Sequence, residues 1–173
     1  MGKLEGKVAL ITGGNRGIGK AIARLFASEG ASLTLAARGI ETLEETSDQI
    51  RKDFGATVIS VSTDVSKEKE VDVLFERSQS EHNKLDILVN NAGAFDGGPI
   101  EQLDLAAWNN VVGACMTGTF LATRAAFRIM KDRDGGRILN IGSISAQMPR
   151  MYSVPYTAAK HGIWGLTKAA ALE

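Results

Sequence analysis

The stretch KVALITGGNRGIG, Lys7 to Gly19, constrains this chain more than any other. Its apolar run, Val8 to Ile11, is continuous, which suits a strand buried on both faces rather than one with a wet side. Glycines follow at once. Ile18, Ala21, Ile22, Leu25 and Phe26 then recur at the i, i+3, i+4, i+7, i+8 spacing of an amphipathic helix with that stripe inward. A buried strand that turns on glycine directly into a helix is the opening of a parallel βαβ unit.

The same alternation continues. SLTLAA (Ser32 to Ala37), TVISVS (Thr57 to Ser62), DILVNN (Asp86 to Asn91) and GRILNIGS (Gly136 to Ser143) read as further strands. Between them lie helical patterns. Glu41 to Phe54 has Leu43, Ile50 and Phe54 inward, and Val71, Leu74, Phe75 and Ser78 mark the next helix. A long helix runs from about Asp104 to Lys131, and a last one starts near Tyr156. This pattern predicts an α/β fold, a parallel sheet between two helical layers. No repeat, low-complexity tract or linker divides the chain, so residues 1–173 read as one domain. In such sheets ligands bind beyond the carboxyl ends of the strands, where the winding reverses.

Residues just after strands therefore carry the functional reading. In TGGNRGIG, Gly13 permits the sharp turn, Gly17 lets backbone approach a phosphate, and Gly19 lets the helix pack on the sheet. Backbone N–H groups and the helix dipole then face a pyrophosphate. The second strand ends at Ala37-Arg38. An acid at that end would hydrogen-bond a ribose 2′-hydroxyl and repel a 2′-phosphate. Here Ala37 takes its place, Arg38 follows, and Arg16 adds a second cation. An arginine fork matches phosphate oxygens, so the expected cofactor is NADP(H) in preference to NAD.

Lys plus Arg and Asp plus Glu both number 20, which gives no electrostatic case for nucleic acid or an anionic membrane. The early apolar run is too short for a signal peptide or a membrane span. A single cysteine, Cys115, excludes an internal disulfide, and His82 and His161 lack metal-ligand spacing. A reducing, cytoplasmic setting with no metal is the expectation. In SVPYTAAKHG, Tyr156 and Lys160 are four residues apart and share a helix face. That spacing is common by chance, and only the rest of the chain gives it meaning.

With TGGNRGIG, NNAG (Asn90 to Gly93) after the fourth strand, Asp64-Val65 after the third, Ser143 after the fifth, and Tyr156-x-x-x-Lys160, the chain resembles the short-chain dehydrogenase/reductase family over Lys7 to Glu173. The resemblance implies a Rossmann-like fold and hydride transfer between NADP(H) and an alcohol or carbonyl substrate. It implies that Tyr156 is the general acid/base, that Lys160 assists it and binds the nicotinamide ribose, and that Ser143 holds the substrate oxygen. It further implies cofactor contacts from Gly13, Asn15, Arg16, Gly17, Ile18 and Gly19 in the first loop, and from Arg38. Asp64, Val65, Asn91, Ala92 and Gly93, with Tyr156 and Lys160, complete that set. A free phenol ionises near pH 10, and a lysine ammonium one turn away favours phenolate. Tyr152 has no such partner. The resemblance also implies a homodimer or homotetramer through the long helix and the Tyr156 helix, where Gly113, Gly118, Gly162 and Gly165 would allow close approach.

Two departures stand out. In ACMTGTF, Ala114 to Phe120, Cys115 occupies the position of the family's helix asparagine, which helps hold a water in the proton relay. Cys115 is expected to be buried and inert. The sequence also stops at Ala170 to Glu173, where the family continues with further strands and substrate-capping helices. The expectation is a truncated chain, and the alternative function is a non-catalytic nucleotide-binding fragment of such an enzyme.

Overall fold

A computed structural model describes every residue except 1, 132 and 134. Five parallel strands form one sheet in the order β3-β2-β1-β4-β5. They are β1 (Val8–Thr12), β2 (Ser32–Ala37), β3 (Val58–Ser62), β4 (Ile87–Asn90) and β5 (Arg137–Asn140). The helices are α1 (Gly17–Ser28), α2 (Ile40–Phe54), α3 (Glu68–His82), α4 (Leu105–Val112), α5 (Gly118–Met130) and α6 (Val154–Ala170). The expected Rossmann-like α/β layering is present, and each anticipated strand is found, trimmed by a residue or more at its ends where it differs.

Alternation along each strand feeds two cores. Ala9 and Ile11 of β1, with Leu33 and Leu35 of β2, meet Ala23 and Ala27 of α1 and Leu43 and Ile50 of α2. On the opposite face Leu10, Ala36 and Leu88 meet Val71, Leu74 and Phe75 of α3 and Leu121, Ala122 and Ala126 of α5. A fully buried leucine or isoleucine contributes about 1.5–3 kcal/mol of transfer free energy. Leu10, Ile11, Leu33 and Leu35 are all in that state, so the β1–β2 pair anchors the sheet.

Three expectations are corrected. In α1 the buried stripe is Gly19, Ala23 and Ala27, while Ile18 and Leu25 are exposed. The helix lies so close that a Cβ on Gly19 would overlap the Gly13 carbonyl oxygen, and large side chains are displaced to the flanks. Phe54 is partly exposed at the end of α2, with the Arg24 guanidinium 5.2 Å from its ring centre. The glycines expected at an oligomer surface mostly pack within the chain. A Cβ on Gly118 would lie 2.7 Å from Val65, one on Gly113 would lie 3.2 Å from Ser66, and one on Gly162 would overlap the Met116 sulfur. Gly165 alone of the four has open space beside it.

The long helix is also not uniform. Between α4 and α5, Gly113–Thr117 forms a π turn, and Cys115 sits inside it. Single π turns inside α-helices often mark functional sites. The apolar spacing of the long helix did not reveal it.

Candidate active site

The winding of the sheet reverses between β1 and β4, and the loops after those strands flank a cleft of about 520 Å³. Gly13 turns with φ +67°, and the N–H groups of Gly13 (2.7 Å) and Gly14 (3.2 Å) both donate to Ala36 O, which holds the turn in place. A latch joins the two loops. The Thr12 hydroxyl accepts from the N–H groups of Asn91 (3.1 Å) and Ala92 (3.0 Å). The Asn91 amide donates to the carbonyls of Thr12 (3.0 Å) and Gly13 (3.1 Å).

Most expected cofactor residues line this cleft. Gly13, Asn15, Arg16, Gly17 and Ile18 form one wall, Arg38 the β2 end, Asp64 and Val65 the β3 end, and Asn91, Ala92 and Gly93 the β4 end. Tyr156 and Lys160 do not, and neither does Gly19. It lies beneath the loop, and its missing Cβ makes room for the Gly13 carbonyl and the Asn91 amide. Asn15 turns its side chain away, donating to the Thr42 hydroxyl at 3.0 Å.

The cleft suits an anion at one end. Arg16 is the N-cap of α1, extended at φ −157°, and neither it nor any other side chain caps that helix. No acidic residue occupies the first turn. By contrast Asp104 caps α4, accepting from Ala107 N at 2.7 Å. The first N–H groups of α1 thus keep no side-chain acceptor, and Gly17, at φ +53°, has open space where its Cβ would be. The ion pairs found among the described residues involve neither Arg16 nor Arg38. These features fit a dinucleotide with its pyrophosphate at the helix end.

Asp64 is held by its neighbours. Burial disfavours its charged form, but the Ser66 hydroxyl (2.7 Å) and N–H (3.0 Å), with Arg38 and Lys67 nearby, outweigh that and lower its pKa. Ser66 and Thr12 were not singled out from the sequence, although Asp-x-Ser is a recognisable side-chain turn. Asn110 and Ala114 of the long helix also reach the cleft and were missed.

Ser143, Tyr156 and Lys160 are not among the residues lining that cleft; they stand past its β4 end. Ser143 follows β5 and caps a short 3-10 turn, Ile144–Ala146, accepting from Ser145 N at 3.1 Å. That turn is tied to α6 by His161 Nδ1 and the Ala146 carbonyl, 2.9 Å apart. Lys160 is buried, its Nζ donating to the Ile141 carbonyl at 2.6 Å and lying 5.7 Å from the Tyr156 ring centre. Burial pushes the Lys160 pKa below its ordinary value, and Cys115 acts in the opposite sense. Cys115 is buried as expected, packs with Val111, Ala159 and Tyr156, and points its sulfur at the Ala94 carbonyl, 3.4 Å away. It bridges the two regions, since a Cβ on Gly93 would lie 3.2 Å from that sulfur.

The profile of the short chain dehydrogenase family matches residues 7–173. This chain belongs to that family. It is 39% identical over 174 residues to the mitochondrial borneol dehydrogenase of Lavandula x intermedia, covering 99% of this chain and 64% of that one. It is 36% identical over 172 residues to glucose 1-dehydrogenase 2 of Bacillus subtilis (strain 168), covering 98% and 66%. The solved structure of a short-chain type dehydrogenase/reductase from Mycobacterium marinum superimposes with a TM-score of 0.93 at 32% identity, over 98% of this chain and 69% of that one. The chain thus spans about two thirds of the length of the relatives it matches. The family is one of oxidoreductases that use NAD(P). No helix among the described residues is long and apolar enough to cross a membrane.

Proposed function

We propose that this chain carries the cofactor-binding and proton-transferring part of an NADP(H)-dependent alcohol dehydrogenase or carbonyl reductase. The observation that carries the NADP(H) reading is the β2 end of the cleft. Ala37 leaves no carboxylate there, and Arg38 and Arg16 are exposed cations without an ion-pair partner among the described residues.

The bound nicotinamide would supply the hydride. The uncapped N-terminus of α1 and the Gly13–Gly17 backbone would hold the pyrophosphate, and Arg38 and Arg16 the 2′-phosphate. Tyr156 would move the proton, through its hydroxyl oxygen, to or from the substrate oxygen. Lys160 is fixed by its bond to the Ile141 carbonyl and favours phenolate when charged. Its burial makes that charge easier to lose than on a surface lysine, so it suits a proton relay. The Ser143 hydroxyl would steady the substrate oxygen. The relatives named for borneol and glucose are consistent with an alcohol as the reduced substrate.

A second reading has its own observation. No position of β5 is fully buried, and the strand that positions Ser143 has one neighbour. This favours a unit that binds nucleotide without turnover. Calorimetric titration of NADPH and NADH, paired with a carbonyl-reduction assay, separates the two. NADPH binding with turnover supports the enzyme, NADPH binding alone supports the second reading, and equal affinity for NADH rejects the 2′-phosphate assignment. The exposed Phe120 and Trp164 support an oligomer through α5 and α6. A monomeric mass in light scattering would reject it.

A further inference from the structure

Phe95, Asp96 and Gly97 follow one another in the loop after β4. The Phe95 ring meets that of Tyr156 edge-on, with centroids 5.5 Å apart and planes at 65°. Asp96 beside it is exposed and takes part in none of the ion pairs found among the described residues. Its Oδ1 accepts from the N–H of the very next residue, Gly97, at 2.8 Å. The Gly97 nitrogen is thereby held against the carboxyl group that precedes it. Gly97 has no side chain to shield that nitrogen. Gly98 follows, with open space where its Cβ would be, so the backbone on that side is free to adjust.

An aspartyl carboxyl group and the amide nitrogen after it are one bond short of a five-membered ring. In the acid form of Asp96 the Gly97 nitrogen can attack Cγ. The N–Cγ bond forms, the Cγ–OH bond breaks, and the amide proton leaves with that hydroxyl as water. Water then opens the succinimide. Opening at Cγ restores aspartate. Opening at the former main-chain carbonyl leaves the chain running through Cγ, with the α-carboxylate as the new side group. Nothing is oxidised or reduced, and the net mass is unchanged.

We infer that Asp96-Gly97 is a site of spontaneous succinimide formation, and that isoaspartate there breaks the contact between Phe95 and Tyr156. The product adds a methylene to the main chain of a closely fitted loop. A Cβ on Gly97 would overlap the Tyr152 carbonyl, so a displaced Gly97 must part from the segment that leads into α6. Phe95, on the other side of Asp96, turns with the altered backbone. Exposed loop tips are where chemical change of a folded chain concentrates. The isomerisation stands whatever Tyr156 does. Only its cost to turnover rests on the reading of Tyr156 as the proton-transferring group.

The test is peptide mapping of the 173-residue chain during long incubation at neutral pH, with fragmentation that tells isoaspartate from aspartate. A synthetic peptide spanning Ala94 to Ile100 is incubated beside it. A second such pair, Asp134-Gly135, is mapped separately, since Asp134 lies outside the described residues. Isoaspartate should accumulate at Asp96 in the chain as it does in the peptide. Asp96→Glu, which would need a less favoured six-membered ring, should stay intact. Asp96→Asn loses ammonia in place of water, and it should convert faster than the parent. In NMR the Tyr156 ring signals should shift in step with the isomer in the parent and hold still in Asp96→Glu. A chain that keeps its aspartate while the peptide converts would overturn the site. So would an Asp96→Asn chain that keeps its amide, or isomerisation as fast in Asp96→Glu. Isoaspartate with unmoved Tyr156 signals would overturn the link to that residue. Isomerisation in a chain that never reduces a carbonyl would defeat the catalytic reading alone, and turnover with Asp96 intact would defeat the modification alone.

Discussion

β1 and β5 are parallel strands of one sheet, yet β1 is buried at every position and β5 at none. The difference is one of neighbours. β1 lies between β2 and β4 with helices over both faces, whereas β5 pairs with β4 only. Its other edge is bordered by a groove between α5 and α6 lined by Thr123, Phe127, Ile138 and Thr167. The cofactor cleft hangs mainly from β1, β2 and β4, each with a strand on both sides, while Ser143 follows a strand with one neighbour. Binding and proton transfer should be separable properties of this chain.

The largest expected effect tests that separation. Tyr156→Phe should lower carbonyl reduction by about 10²–10⁴-fold, the range for losing a general acid/base, with NADPH affinity within about twofold of the parent. A parallel loss of NADPH binding in a fluorescence titration would join the two regions. Gly19→Val attacks the supported side instead. Its side chain must displace the Gly13 carbonyl or the Asn91 amide, so urea unfolding should show a loss of about 1–3 kcal/mol together with weakened NADPH binding. Unchanged stability would mean that the loop is not held as tightly as described.

Smaller effects sharpen the picture. Arg38→Ala should weaken NADPH about tenfold and leave NADH nearly unchanged, as expected for one charge-assisted phosphate contact. Equal losses by calorimetry would reassign Arg38. The smallest effect lies at the start of β4. Burial opposes the Asp86 carboxylate, but the Val8 N–H at 2.8 Å, with Lys84 and Lys7, outweighs that and lowers its pKa. A carboxyl group depressed on folding contributes stability above its unfolded pKa of about 3.9 and loses it as pH falls through the lower folded value. Asp86→Asn should therefore destabilise at neutral pH and flatten the stability curve below about pH 4, measured by thermal melts. An unchanged slope would remove Asp86 from the acid response.

What was legible in the sequence follows from the period of each signal. Strands buried on both faces announce themselves as apolar runs, and Val8 to Ile11 behaved so. Val71, Leu74, Phe75 and Ser78 are likewise the buried residues of α3. The apolar stripe of α1 misled because glycine and alanine, not isoleucine and leucine, let a helix approach a sheet this closely. Residues that line the cleft were legible where a motif fixes backbone shape, as at Gly13 and Gly17. Thr12 was not, because its contribution is a hydrogen bond closed only when distant loops meet, whereas Ser66 belongs to a local Asp-x-Ser turn that was legible but not singled out. The π turn around Cys115 left no mark in composition or spacing.

The Thr12–Asn91 latch has a practical corollary. It clamps the side of the cleft where β1 and β4 diverge, away from the tip of β2 where Arg38 sits. Among the described residues the side-chain hydrogen bonds of the clamp do not reach Arg38, although the N–H groups of Gly13 and Gly14 donate to Ala36 O beside that tip. On the proposed 2′-phosphate reading, exchanging Arg38 or placing an acid at Ala37 should change which coenzyme is preferred while leaving the cradle's width to the clamp. On that reading, coenzyme choice and coenzyme grip would be separate dials, and an engineer could turn the first without touching the second.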